Sequence, residues 1–544
     1  MKKVLLTLIV SLAFCGSIFA QNDSDIYESH WADFNSNLFE QPDGIVAFVK
    51  IDGDYVNGEF HWDALEIAPF VGNECRGHSF MAYYEDEDPY PIIEVSVNYN
   101  NQNELVTFRM FDHVTGIEYK VCTSSIEIRT GTDHDELYFN YDEAVILDFE
   151  TPRFTKDITG YGENNTGGHW YLISSPIGDV APGDVENLIQ DITDNTDYDL
   201  YTFNQSVEDN LEWLNNKDEA IEMLETGKGY LYASKQDVTL TFTGQAYTGE
   251  AKVPGNDGGT LTGGGYFATF DLVYDGQAKM KGWNLVGNPF AEEAYVERDI
   301  CVMNDEGTDI ILTDSHIVAP MEGCFVRAEG DGETVTFETG IAIPEGDMKV
   351  VLNLSNGRAV ADRAIIRFGE SRQMPKLQLN PNSTKVYIPQ DGEDYAVVSA
   401  GEMGEMPVSF KAGSNGTYTM SFNATGVSFN YLHLIDNMTG ADVDLLATPS
   451  YSFDAQTTDY ASRFRLVFAT GNNNSDDFAF FSNGNLVINN EGEATVQVVD
   501  VTGRILSSET INGSASINLN GAAGVYMIRL INGENVKVQK VIIK

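Results

Sequence analysis

Short β-branched and aromatic runs, cut by tight-turn dipeptides, dominate this chain and leave little room for helices. Ile92-Ile93-Glu94-Val95-Ser96-Val97, Leu105 to Phe111 and Val238-Thr239-Leu240-Thr241-Phe242 each fit a strand that alternates or is buried on both faces. Asp52-Gly53, Asn57-Gly58, Asn415-Gly416 and Asn532-Gly533 lie between such runs, and these pairs suit the positive backbone angles of hairpin turns. Helix signals are sparse. The best is Asn216 to Thr226, with Ala220, Ile221, Met223 and Leu224 as an apolar side and Gly227 as a stop. A second short one lies at Pro182 to Ile192. The expected fold is mainly β, made of tandem sandwiches with one or two short helices.

The chain has 544 residues, enough for several domains with separate cores. We expect a signal peptide at 1–20, an N-terminal sandwich module at 21–148 and a central β region at 151–343. A stalk sandwich at 344–470, a polar linker at 471–477 and a terminal domain at 478–544 follow. The central region contains an internal repeat. Trp170-Tyr171-Leu172-Ile173-Ser174-Ser175-Pro176 is echoed by Trp283-Asn284-Leu285-Val286-Gly287-Asn288-Pro289. A Gly-aromatic segment follows each: Gly229-Tyr230-Leu231-Tyr232 in the first and Gly323-Cys324-Phe325-Val326 in the second. A Thr-rich strand comes next, at Thr239–Phe242 and Thr334–Phe337. Two copies of one β unit, each burying its Trp, are the primary reading. Sugar-stacking platforms at Trp170 and Trp283 are the functional alternative.

Charge narrows the partners. With 83 acidic against 32 basic residues the formal charge is −51, which repels nucleic-acid phosphates and anionic lipid. Lys2 and Lys3, the apolar run Val4 to Phe14 and the small Ala20 form a secretory signal, cut between Ala20 and Gln21. Cys15 offers a lipoprotein alternative, ranked lower because Phe14 is large where a small residue is wanted. No later run is long enough for a membrane helix. Removal of the signal leaves Cys75, Cys122, Cys301 and Cys324, an even number in an exported chain. Of three connectivities, order along the chain favours Cys75–Cys122 and Cys301–Cys324.

The terminal segment carries the most specific pattern. Asp500-Val501-Thr502-Gly503-Arg504 is a hairpin turn between two strands. Gly524-Val525-Tyr526 opens another strand, and Lys537, Lys540 and Lys544 space the closing one. These elements, in this order, resemble the type A C-terminal sorting domain of type IX secretion. Phe481-Ser482-Asn483-Gly484-Asn485 stands where that family often has Pro-Asn-Pro. The resemblance implies a small immunoglobulin-like sandwich read by the translocon and a sorting peptidase. It places the cargo on the exterior of a Gram-negative outer membrane or beyond, with lipopolysaccharide coupling after cleavage. Arg363–Gly369 and Tyr431–Gly440 resemble the stalk that often precedes such domains, and Ala68–Gly77 resembles a module of large surface proteins of this class.

Catalytic patterns are absent from the sequence: no His-Glu-x-x-His, no Gly-x-Ser-x-Gly and no phosphate-binding loop. The eight His residues show no metal-ligand spacing. Asp52-Gly53-Asp54, Glu85–Asp88 and Asn304-Asp305-Glu306 offer oxygen donors for Ca2+, though solvated hairpins explain them as well. No other cofactor is expected. The function expected is a non-enzymatic surface or secreted protein, an adhesin or glycan-binding module that meets a surface glycan or host protein. The alternative is a secreted hydrolase with its active site in the central region.

Overall fold

The computed structural model describes residues 27, 29–31, 35, 41–56, 62–81, 92–99, 105–119, 126–127, 145–163, 169–189, 197–205, 212–251, 265–340, 348–357, 359–369, 372–471, 477–482, 484–519 and 523–543. Strands account for nearly all regular structure among them. The chain divides into two compact units, one of residues 1–156, 176–188 and 239–247, the other of the remainder.

In the first unit, Gln41–Ile51 pairs in parallel with Val145–Phe149 and antiparallel with Ile92–Tyr99. A second sheet is built on Leu65–Val71 and Leu105–Asp112. Alternation decides which side chains meet: Val49, Leu147 and Phe149 of one sheet pack against Ile67, Phe108 and Met110 of the other.

The second unit holds the Trp and Gly-aromatic strands of both copies of the repeat, while the Thr239–Phe242 strand of the first copy belongs to the first unit; the two copies share one strand order. In the first copy Tyr171–Ile173, Tyr230–Ser234, Tyr198–Phe203 and Trp213–Asn215 are neighbours in that order. In the second copy Trp283–Gly287, Gly323–Arg327, Cys301–Met303 and Ile310–Leu312 repeat it. The copies meet about a local two-fold. Ile173 bridges Glu322, and its equivalent Val286 bridges Lys228. The Ser174 amide donates to the Met321 carbonyl, and the Gly287 amide donates to the Gly227 carbonyl. Gly229 and Gly323 sit where the two backbones cross, and a Cβ on Gly229 would lie 2.6 Å from the Val286 oxygen. Backbone cannot yield there, so Gly229→Ala should lower the unfolding free energy by about 1–3 kcal/mol. Denaturant unfolding with an unchanged midpoint would contradict the close crossing.

Residues 349–470 form an eleven-stranded sheet curled around its own core, which draws on Val350, Val386, Leu432 and Phe453 from distant strands. The last domain is a two-sheet sandwich. Ala479–Ser482, Asn485–Ile488 and Ala515–Asn518 make one sheet; Ile505–Asn512, Glu493–Asp500, Gly524–Asn532 and Asn535–Ile543 make the other. It has its own core, including Phe478, Leu486, Val496, Ile528, Leu530 and Val541. The Gln539 side chain fastens the sheets together, accepting from the Phe478 and Ala479 amides at 2.7 Å.

The expected helices and disulfides are corrected. Asn216 to Thr226 is not a helix. Asn215 Oδ1 caps the Lys217 amide and Asn216 Oδ1 takes the Ile221 amide at 2.7 Å, so local side-chain acceptors hold the segment in turns. Pro182 to Ile192 yields only a 3-10 turn at Pro182–Asp184 among its described residues. Cys301 and Cys324 are free thiols, not a disulfide. Cys301 lies opposite Phe325, which puts Cys324 on the other face of the same sheet. Burial drives both thiols up, Cys301 to about 12. Cys75 is also a free thiol and its sulfur donates to the Gly77 carbonyl. Cys122 lies outside the described residues.

Candidate functional sites

The terminal sandwich gathers most of its expected signal residues. Asp500 holds its own turn. One carboxylate oxygen accepts from the Thr502 amide, the Thr502 hydroxyl and the Arg504 amide, and the other accepts from Arg504 Nε at 3.0 Å. The Thr502 hydroxyl contributes most to pulling the Asp500 carboxyl down to about 2. Gly503 supplies the left-handed conformation, at φ +85°. Tyr526 lies directly across from Asp500 and Val541, so the hairpin, the Gly-x-Tyr strand and the closing strand are adjacent. Gly524 opens that strand. Tyr526 is buried in the core, a packing residue rather than a surface determinant. Lys537 and Lys540 are exposed on the edge strand, three residues apart and therefore on opposite faces. Lys544 lies outside the described residues.

The repeat offers a second site. In the second copy the face bearing Trp283, Leu285, Cys301 and Leu312 is buried against Val351, Ile365 and Val397 of the stalk. Asp299 on that side receives Arg367 at 2.5 Å. Register makes Trp170, Tyr201, Asn215 and Asp199 the equivalents of Trp283, Cys301, Leu312 and Asp299. One end of the first-copy face is likewise covered, with Phe203 and Trp213 against Phe325. The other end is half-open. Trp170 lies 5.9 Å from Tyr201, ring centre to ring centre. Asp199 accepts from Lys217 at 3.1 Å and faces Asn215. Partial burial first, then the Asp199 charge, raises the Tyr201 hydroxyl above its usual range. Trp283 therefore belongs to the core, whereas Trp170 is half-exposed beside polar groups.

A third cluster lies in the first unit and was missed in the sequence. Glu66 is fully buried. Its carboxylate accepts from His78 Nδ1 and His113 Nε2, each at 2.9 Å, from the His30 amide at 2.8 Å and from the Ser29 hydroxyl. Burial opposes ionisation, yet the donors led by His78, then Ser29 and His113, overcome it and hold Glu66 at about 2. Ser29 reaches the same imidazole nitrogen that binds Glu66, at 3.2 Å. A nucleophile relay needs the two ring nitrogens to serve different partners, so this is a clasp for the segment around Ser29 and not a triad. His30 stacks on Phe111 at 3.8 Å and Trp31 meets Phe70 edge-on.

Two of the suggested oxygen donors, Asp52 and Asn304, already have protein partners. Asp52 binds Thr151 and Arg153. Asn304 Oδ1 accepts from the Thr308 amide. Glu85–Asp88 lie outside the described residues. Among the described residues no His, Cys, Asp or Glu grouping is arranged to hold a metal ion, and no helix is long and apolar enough to cross a membrane.

Comparison with known proteins agrees at the C-terminus. Residues 482–544 match the family of the secretion system C-terminal sorting domain. No curated protein matches the chain. A solved structure titled "Biofilm associated protein - BSP domain" is similar at 10% identity, covering 93% of this chain and 96% of that one, with a TM-score of 0.13.

Proposed function

We propose, for a chain that carries a type IX secretion sorting domain at its C-terminus, that the cargo is a non-enzymatic glycan-contacting protein displayed outside the outer membrane. One observation carries the binding half of this reading. The duplicated faces have diverged in opposite directions. The second copy has Cys301 and Leu312 and is buried under the stalk, while the first keeps Tyr201 and Asn215 at the same places and stays half-open. Aromatic rings beside a carboxylate and a carboxamide suit sugars, which present apolar C–H faces rimmed by hydroxyls. The acidic surface disfavours nucleic acid as the partner. Sorting peptidase cleavage and lipopolysaccharide coupling would complete the display.

The test is a glycan array with the mature chain, with hydrolysis assayed on the same panel. Trp170→Ala and Tyr201→Ala should each weaken binding at least tenfold without lowering the melting temperature by more than a few degrees. No turnover is expected, and EDTA should leave binding unchanged because the Asp52 and Asn304 oxygens already have protein donors. Turnover that vanishes in Asp199→Asn would replace this reading with the hydrolase alternative.

A further inference from the structure

The sorting sandwich has two outer faces, and they are used differently. The face of the three-stranded sheet is covered: Val487 packs with Tyr431, Val467 and Ala469 of the stalk, and Phe480 joins them. Polar contacts rim that seam. Asn489 donates to the Thr470 carbonyl, and Ser482 donates to the Glu405 carboxylate. The face of the four-stranded sheet is open; it is apolar along its closing strand and at Ile505, while Thr495 and Gln497 make its middle polar. Val536, Val538 and Ile542 alternate along the closing strand, 48%, 54% and 55% exposed, and Ile505 on the other edge is 50% exposed. Lys540 and Arg529 stand on the same face, because Lys540 lies opposite Met527 and Arg529 opposite Val538. Six of the fifteen large hydrophobic side chains that are exposed among the described residues belong to this one sheet and its hairpin, so the feature is local to the tail.

Charge sets the tail apart as well. Phe478 to Lys544 holds five acidic and five basic residues, in a chain whose formal charge is −51. An acidic partner would therefore repel the cargo and accept the tail, which orients the docking.

We propose that the open face of the four-stranded sheet is the surface by which the tail is read, and that its partner is an apolar β-sheet face of an export-machinery protein with carboxylates opposite Lys540 and Arg529. The covered face supplies the precedent, since a sheet with a rim carboxylate already packs on this sandwich there. The proposal rests on the export reading given above.

The experiment uses the full-length chain in its native secreting cell and measures the displayed fraction by external protease. Val538→Glu should cut display at least tenfold, and Lys540→Glu, which disturbs no buried contact, should also cut it. Val538→Thr and Met438→Glu, the latter an exposed hydrophobe of the stalk, should leave it near wild type. Normal display of Val538→Glu and Lys540→Glu, with a Gly524–Lys544 deletion retained, would overturn this face and leave the export reading standing. Normal display of the deletion would remove both. Purified wild-type chain should not bind anionic lipopolysaccharide-containing vesicles; binding that Val538→Glu abolishes would make the partner a lipid surface and overturn the protein assignment.

Discussion

A chain ending at Ala523 should accumulate in the periplasm and reach the surface at less than a hundredth of the wild-type level. The deletion removes two adjacent strands of the four-stranded sheet, Gly524–Asn532 and Asn535–Ile543. Tyr526, Ile528, Leu530, Val541 and Ile543 go with them, five of the fourteen buried side chains in the sandwich core. At roughly 1.5–3 kcal/mol for each buried side chain, the loss is on the order of 10 kcal/mol, comparable with the whole stability of a small domain. Gln539 is lost too, and with it the link that ties the Ala479–Ser482 strand to the opposite sheet. The stalk keeps its own core, so the cargo should remain folded while its tag does not. Ile528→Asp should reproduce the defect without shortening the chain, because a carboxylate in that core has no partner. Fractionation that finds either variant on the surface at wild-type level would mean that the folded sandwich is not what is recognised.

What could be read beforehand depended on how local the signal was. The strands and their turns follow from alternation and Gly pairs a few residues apart, and so did the mainly β class. The Asp500–Arg504 turn is likewise spelled within five residues, because one carboxylate satisfies the loop that follows it. The repeated Trp strands pointed to two copies with one strand order, yet not to the divergence of their faces. That divergence depends on register, which equates Tyr201 with Cys301. Register also defeated the Cys301–Cys324 expectation, since one residue of offset moves a side chain to the other face. The Asn216 segment failed for a local reason: its apolar residues suit a helix, while Asn215 and Asn216 compete for the backbone donors. The Glu66 clasp was the hardest to see. Its members are spread from Ser29 to His113, and only the pairing of Glu66 with both Phe80 and Phe111 brings His78 and His113 to it. His78 and His113 are each two residues from those partners, so both fall on the same side as Glu66. One clue was present: an acid inside the run Leu65-Glu66-Ile67-Ala68, where every neighbour is apolar and buried.

Glu66→Gln should destabilise the N-terminal unit by about 3 kcal/mol at neutral pH and remove most of its sensitivity to acid. In the folded unit the Glu66 carboxyl is held at about 2, against an ordinary value of 4.5. The ionised form is therefore favoured by folding, and a gap of this size corresponds to about 3 kcal/mol. Because the folded value is depressed, that contribution is complete above roughly pH 4.5 and is lost as the pH falls through the folded value near 2. Wild type should thus lose stability steeply across this window, and the Gln variant should start lower and fall less. The amide has the same shape but only one accepting oxygen, and its NH2 group meets donors on the other side. The His30 amide can only donate, so the NH2 group must face Ser29 and His78, and both then have to turn from donors into acceptors. The segment carrying Ser29 and Trp31 is held by these bonds and by the stacking of His30 on Phe111, so the variant should also be cut faster by protease near residue 30. Glu66→Ala should be worse, because it leaves a void as well as unpaired donors. Denaturant unfolding of the mature chain between pH 2 and 7, followed through the transition of the N-terminal unit, measures the effect. Parallel pH curves for wild type and Glu66→Gln would show that the carboxylate does not hold this unit together.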